Sequence, residues 1–308
     1  MIFLEVLPIF IALFAGLLFH YGVLSAWLVK YENKLIQWIT VLILAAMGYE
    51  IGSIPNIFSQ LLTVGKVVAV FVLLTFVISI LLYFLYFNVR YHFTKKKKVA
   101  QKSQIRQSKL KMLTDSFLYL SAVIMGFVLA LIIGYTVKQI DFIVNVILYV
   151  LLFVIGQQLR QQNVKLKQVL INTKALSIAL VSMVASWVAG LIAAAFLGLS
   201  WNMGLAMSSG FGWYSLSGIL VGQLGQPEMG AAVFFIDLIR EMLAVLFIPV
   251  LVRLNSQLAI GYSGATAMDF TLPVLKNTLP KEDVILCIVS GFILSIATPI
   301  FIPLWMSF

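Results

Sequence analysis

Lys66-Val-Val-Ala-Val-Phe-Val-Leu-Leu-Thr-Phe-Val-Ile-Ser-Ile-Leu-Leu-Tyr-Phe-Leu-Tyr-Phe-Asn88 runs straight into a stretch, 89–113, that holds nine of the 21 Lys and Arg and no acid. Together these two stretches decide the fold. The first is long and apolar enough to cross a hydrocarbon core, which takes roughly 20 residues of helix. The second comprises Arg90, Lys95, Lys96, Lys97, Lys98, Lys102, Arg106, Lys109 and Lys111. A basic run can bind nucleic acid. Flanked by apolar spans it reads instead as a topology signal, one that also suits anionic lipid head groups.

The same pattern recurs along the 308 residues, of which 62% are hydrophobic and 10% charged. Mean hydropathy is +1.07. Soluble domains carry about 45–50% apolar and about 25% charged residues. The composition therefore predicts an all-α polytopic membrane protein. Apolar runs place spans at 2–19, 35–51, 66–88, 114–135, 139–158, 175–197, 201–224, 229–252, 263–280 and 283–306. The first run has Glu5 inside it, no basic lead-in and no small-residue cleavage site, so it reads as a span and not as a signal peptide. Cys287, the one cysteine, lies in an apolar run and suits packing.

Cytoplasmic loops are rich in Lys and Arg. That puts 89–113 inside, and 159–174 with it, through Arg160, Lys165, Lys167 and Lys174. Counting spans from there leaves both termini outside. Ten spans divide into 1–158 and 159–308, five each. Odd-numbered halves run in opposite directions, the arithmetic of an inverted repeat with broken helices, as in many secondary transporters.

An ionisable group inside a span is costly and is a functional candidate by default. Most of the acids lie near span ends or in loops. Asp237, Glu241 and Asp269 do not. Asp237 and Glu241 are four apart and share a helix face. Arg240 follows Asp237 by three and can pair with it. No basic residue stands at that spacing from Glu241. Asp269 precedes Pro273, and the proline disfavours helix at Leu272. A break there frees backbone groups, which a membrane tolerates only where protein or water satisfies them. A third element, Met207-Ser-Ser-Gly-Phe-Gly-Trp-Tyr-Ser-Leu-Ser-Gly218, brings Gly210 and Gly212 beside Ser208, Ser209, Trp213, Tyr214 and Ser215. Small residues let helices approach closely. Aromatic residues with polar tips suit a site that is part apolar and part wet, and their faces attract cations. His20 and His92 have no neighbouring ligands, so no metal or other cofactor is expected.

These stretches resemble the lysine exporter family LysO (YbjE) of bacterial inner membranes. The likeness is carried by Ser209-Gly-Phe-Gly-Trp-Tyr-Ser-Leu-Ser-Gly-Ile-Leu220, by Asp237-Leu with Arg240-Glu241, and by Gly264-Ala-Thr with Met268-Asp-Phe-Thr-Leu-Pro-Val-Leu275. Weaker likeness covers nearly the whole chain, Gly156-Gln-Gln-Leu-Arg160 included. The resemblance implies export of L-lysine and of its toxic analogue thialysine, with two intramembrane acids that fall on Glu241 and Asp269. It also implies a fold with crossing broken helices. The break near Asp269, with Gly264 and Pro273, would then cross a partner in 114–135.

Moving a monocation out against the membrane potential costs about 2.3 kcal/mol per 100 mV. Exchange for one proton cancels that term, and paired carboxylates suit such an exchange. The expected substrate and proton site is Glu241 and Asp269, with Asp237, Arg240, Ser208, Ser209, Trp213, Tyr214, Ser215 and Thr271 around them. Ser208, Ser209, backbone amides at a helix break and Arg240 are all open as donors to the substrate carboxylate. The expected partners are L-lysine, thialysine, protons and lipid, with a homodimer left open and no nucleic acid. A cation/proton antiporter, or an exporter of another amino acid on the same scaffold, needs the same acids. An intramembrane aspartyl protease resembles a different pattern, since Ile236 precedes Asp237 and Ala267-Met268 precede Asp269. The chain is expected not to be an enzyme.

Overall fold

A computed structural model describes residues 2–18, 25–53, 57–90, 105–133, 140–161, 172–225 and 227–308. Most of the two basic loops expected at 89–113 and 159–174 lies outside them. The described residues are helical, with no strand among them. The long helices are α1 (Ile2–Leu18), α2 (Ser25–Gly52), α3 (Ile57–Arg90), α4 (Ile105–Ile133), α5 (Ile140–Gln161), α6 (Thr173–Leu197), α9 (Pro227–Leu254) and α12 (Val284–Met306). The short ones are α7 (Trp201–Ser208), α8 (Tyr214–Leu224), α10 (Ser256–Ser263), a 3-10 turn at Gly264–Met268, and α11 (Leu272–Thr278). Leu62–Tyr86, Thr173–Leu197 and Val284–Met306 are each long and apolar enough to cross a membrane. Side chains such as Leu62, Leu73, Ile132, Phe196 and Leu246 stand exposed on the outer surface, as lipid-facing residues do.

Helix directions follow from their contacts. Lys174 Nζ pairs with Asp283 at 3.4 Å, so α6 and α12 start at the same end. Tyr83 donates to the Ile178 carbonyl at 2.6 Å, which puts the end of α3 there too. The opposite end holds Trp201 and Phe308, whose rings lie 5.9 Å apart. Two separate cores fill the two ends. Ile236, Leu238, Ile302 and Met306 belong to the core at the Phe308 end. Val245, Leu251, Ala175 and Leu286 belong to the one at the Asp283 end. Helix α9 therefore enters at the Phe308 end and leaves at the Asp283 end, antiparallel to α6 and α12.

This overturns one expectation. Segment 201–224 does not cross the bundle. It starts at Trp201, beside Phe308, and ends at Gly225, whose neighbours are Met306 and Met203. Its buried side chains Ala206, Met207, Tyr214, Leu216, Ile219 and Leu220 lie in the Phe308-end core. Segment 256–278 does the reverse. It follows α9 at the Asp283 end, its α10 and α11 side chains lie in that core, and after five intervening residues α12 starts at the same end. Both segments are re-entrant hairpins, one from each end. Length says the same: at 1.5 Å per residue the half-helices span about 11–17 Å, against roughly 30 Å of hydrocarbon. The second hairpin also begins at Ser256, not at residue 263. Asn255 caps it by accepting from the Gln257 amide at 2.8 Å. The ten expected spans thus become eight long helices and two hairpins among the described residues.

The crossing partner expected in 114–135 is likewise corrected. Helix α4 runs unbroken through Ile105–Ile133 and packs closely on α2, with Gly126 against Ala45 and Gly48 against Val123. What meets the 264–271 break is the other hairpin tip, residues 209–213.

Candidate functional site

The two tips touch at the centre of the bundle. The Ala265 amide donates to the Phe211 carbonyl at 3.0 Å. Gly264 (φ +68°) and Gly212 (φ +92°) occupy the left-handed region, where glycine carries no steric cost. A β-carbon on Gly264 would collide with the Phe211 carbonyl oxygen. Phe211 itself takes φ +50° and is fully buried, packed with Met183, Ala265 and Leu294. On the far side of the second tip, Thr271 donates through both its amide and its hydroxyl to Thr266 O at 3.0 Å, closing the turn. Pro273 stands in the first turn of α11, where a missing amide hydrogen costs nothing.

Helix α9 holds both tips. Asp237 is 2% exposed and accepts from the Gly212 amide at 2.8 Å and from Ser217 Oγ at 2.6 Å. A β-carbon at Gly210 would strike that carboxylate. Three residues on, Arg240 is 3% exposed and donates Nε to Tyr262 O at 3.2 Å and Nη1 to Ser186 Oγ at 3.0 Å. Its guanidinium also lies over the Tyr262 ring, 5.5 Å from the centroid. The Asp237–Arg240 ion pair that the spacing allows is not formed: Asp237 binds Gly212 and Ser217, and Arg240 binds Tyr262 and Ser186. Each residue instead serves a different hairpin, because the tips offer both of them better-placed backbone and hydroxyl partners.

Glu241 is buried at 2% exposure on the same turn of α9. Asp269 lies in the second break, just past the 3-10 turn, with accessible surface, and its Oδ1 accepts from the Phe270 amide at 2.5 Å. Of the other expected residues, most serve the scaffold. Ser208 and Ser209 both donate to Leu205 O, at 3.1 and 2.7 Å, so neither hydroxyl proton is left for a ligand. Ser209 also accepts from Trp187 Nε1 at 2.9 Å. Tyr214 is buried against Phe234 and Tyr119, at 5.5 and 6.0 Å between rings. Trp213 and Ser215 are half-buried at the start of α8. The sequence reading missed Ser186, Trp187, Ser217, Tyr262 and Thr298, the last of which donates to Gly210 O at 3.2 Å. The i, i+4 pair Ser182 and Ser186 on α6 was their one legible sign: Ser182 donates to Gly261 O at 2.5 Å and Ser186 receives Arg240.

Comparison with known proteins now bears on this arrangement. Residues 120–306 match the family model "Lysine exporter LysO". The chain belongs to the LysO lysine exporter family. Among its relatives, the lysine exporter LysO of Escherichia coli (strain K12) is 37% identical over 279 residues, 89% of this chain and 90% of that protein. A putative lysine exporter of Haemophilus influenzae (strain ATCC 51907 / DSM 11121 / KW20 / Rd) is 36% identical over 193 residues, 61% of this chain and 97% of that protein. No solved structure gives a significant match. The matched region contains α9, both hairpins and every residue of the tip contact, and it leaves out α1 to α3.

Proposed function

We propose that this protein exports L-lysine, and its toxic analogue thialysine, from the cytoplasm across the bacterial inner membrane in exchange for protons. One observation carries the reading within an exporter family: two oppositely entering hairpin tips meet on the helix that bears Glu241, and the second tip bears Asp269. Irregular backbone at such a depth belongs to a site, because only protein or a ligand-bearing cavity can satisfy it.

The ends of α3 and α5 lead into the two basic loops, and α3 ends on the Asp283 side. On the positive-inside rule that side is cytoplasmic. Eight crossings, like ten, leave both termini outside. The 256–278 hairpin then enters from the cytoplasm and the 201–224 hairpin from outside. In place of the 5+5 division, the repeat we infer is a helix followed by a hairpin: α6 with the first, and α9 with the second in the opposite direction.

In this reading Glu241 and Asp269, ionised, hold the lysine ammonium. Protons arriving from outside neutralise them and release it, and their titration belongs to the pair. The test is uptake of labelled lysine into inside-out vesicles under an imposed pH gradient. Gradient-driven uptake in the wild type that Glu241→Gln and Asp269→Asn both lose is the expected result. Normal coupled uptake by Glu241→Gln would refute the coupling. Uptake of inorganic cations without lysine would put the cation/proton antiporter in its place.

A further inference from the structure

Arg240 carries an unusual burden. It is a buried cation with no ion pair to a carboxylate among the described residues, although Asp237 lies one turn away on the same helix. Asp237 is occupied by Gly212 and Ser217. Two of the three guanidinium nitrogens are fixed, Nε by the Tyr262 carbonyl and Nη1 by Ser186. The third, Nη2, is buried and has no hydrogen-bond partner. It faces the junction of the tips, since a β-carbon on Gly264 would stand 3.5 Å from it. Leaving a buried charged donor unmet is among the costlier arrangements in a protein, and an incoming anion relieves it. The fixed pair of nitrogens holds the guanidinium plane rigid, so its remaining edge is ready for a carboxylate oxygen. The hydroxyls of Ser208, Ser209 and Thr271, also expected at the site, all donate to backbone carbonyls.

We infer that Arg240 is the specificity-determining residue that receives the α-carboxylate of the exported amino acid through Nη2, at the junction of the two hairpin tips. The inference deepens the lysine-export reading and rests on it. It divides the labour on one turn of α9. Glu241, with Asp269, reads the positive end of the substrate, and Arg240 reads the negative end. The carrier then rejects diamines that have the ammonium groups of lysine and lack its carboxylate. It also explains why Asp237 is diverted to the 201–224 hairpin, because an Asp237–Arg240 pair would close the anion site.

The test is competition against labelled lysine in inside-out vesicles, with unlabelled L-lysine, L-lysinamide and cadaverine as competitors. It is run on the wild type and on Arg240→Lys and Arg240→Gln, normalised to the amount of carrier in the membrane. In the wild type, lysine should compete about 10- to 100-fold better than lysinamide or cadaverine, the range of one charge-assisted hydrogen bond. In Arg240→Gln that preference should collapse to within about threefold. Lysine should lose its advantage while cadaverine keeps its own half-inhibiting concentration. Arg240→Lys should retain part of the preference. A purely structural role for Arg240 would weaken all three competitors alike and leave their ratio unchanged, and that outcome overturns the inference. So does a wild type in which the three compete equally, a result that needs no variant to fold. A wild type that takes up no labelled lysine removes the export reading itself, and this inference falls with it.

Discussion

Replacing Gly264 by alanine tests the meeting of the hairpin tips directly. Gly264 sits at φ +68°, ψ −137°, a region essentially reserved for glycine, where another residue costs about 1–3 kcal/mol. The new β-carbon meets the Phe211 carbonyl oxygen. That oxygen cannot withdraw freely, because it accepts the Ala265 amide at 3.0 Å and its residue is fully buried. Relieving the overlap costs about 1–3 kcal/mol in displaced packing, and losing the tip-to-tip bond about 0.5–1.5 kcal/mol. The sum, about 2.5–7.5 kcal/mol, is a large part of the roughly 5–15 kcal/mol that holds a typical protein folded. The control is Gly198→Ala. Gly198 has φ +70° and no heavy atom within 4 Å of an added β-carbon, so only the backbone term of about 1–2 kcal/mol applies. Purified carrier heated in detergent and assayed by size exclusion should lose its monodisperse peak many degrees earlier for Gly264→Ala than for Gly198→Ala. Lysine uptake per carrier should fall only in the first. If Gly264→Ala is as stable and as active as Gly198→Ala, the tips do not meet as described.

Asp237→Ala leaves the Gly212 amide and the Ser217 hydroxyl without their acceptor, at about 1–3 kcal/mol each; membrane abundance should drop, whereas the proton-to-lysine ratio of what remains should match wild type, read by parallel pH-dye and label uptake. Tyr83→Phe removes the 2.6 Å bond to Ile178 O and should lower detergent stability by about 1 kcal/mol without altering substrate preference. Trp187→Phe keeps a ring against Phe301, now 4.9 Å away, and loses the bond to Ser209, so about 1 kcal/mol of stability should go with little change in uptake. Lys174→Ala breaks a pair whose side chains are 34% and 13% exposed, and melting should shift by less than about 1 kcal/mol.

The helical membrane class was legible because every long apolar run announces itself by length and by charged flanks. The two basic loops lie mostly outside the described residues; the helix ends next to them, the end of α3 and the start of α6, meet at one end of the bundle. What composition could not separate is a span from a hairpin. Segment 201–224 is as long as a crossing helix, though shorter on apolar residues and broken by Gly and Ser. Only the backbone turn at Phe211 and Gly212, and the return of Gly225 to Met203, distinguish the two. The glycines marked where the chain breaks, not which way it goes afterwards. The acids stood out because an ionisable group in an apolar run is a strong signal. Their serine partners did not, since Ser186 or Ser217 in a helix reads as a small packing residue until its neighbour is known. The Asp237–Arg240 pair failed for the opposite reason: spacing alone allowed it, and two better partners from other elements drew each residue away.

Both clamps lie within one turn of α9, and this has a consequence for how the two hairpins can move. Asp237 grips the tip that, in the proposed orientation, enters from outside, and Arg240 grips the one that enters from the cytoplasm. A rotation or shift of α9 acts on both tips together, and the bond between Ala265 and Phe211 passes displacement of one to the other. The proposed exchange requires that the site face one side at a time. In the proposed exchange, a helix that carries Glu241 and both grips on a single turn meets that requirement without a long relay.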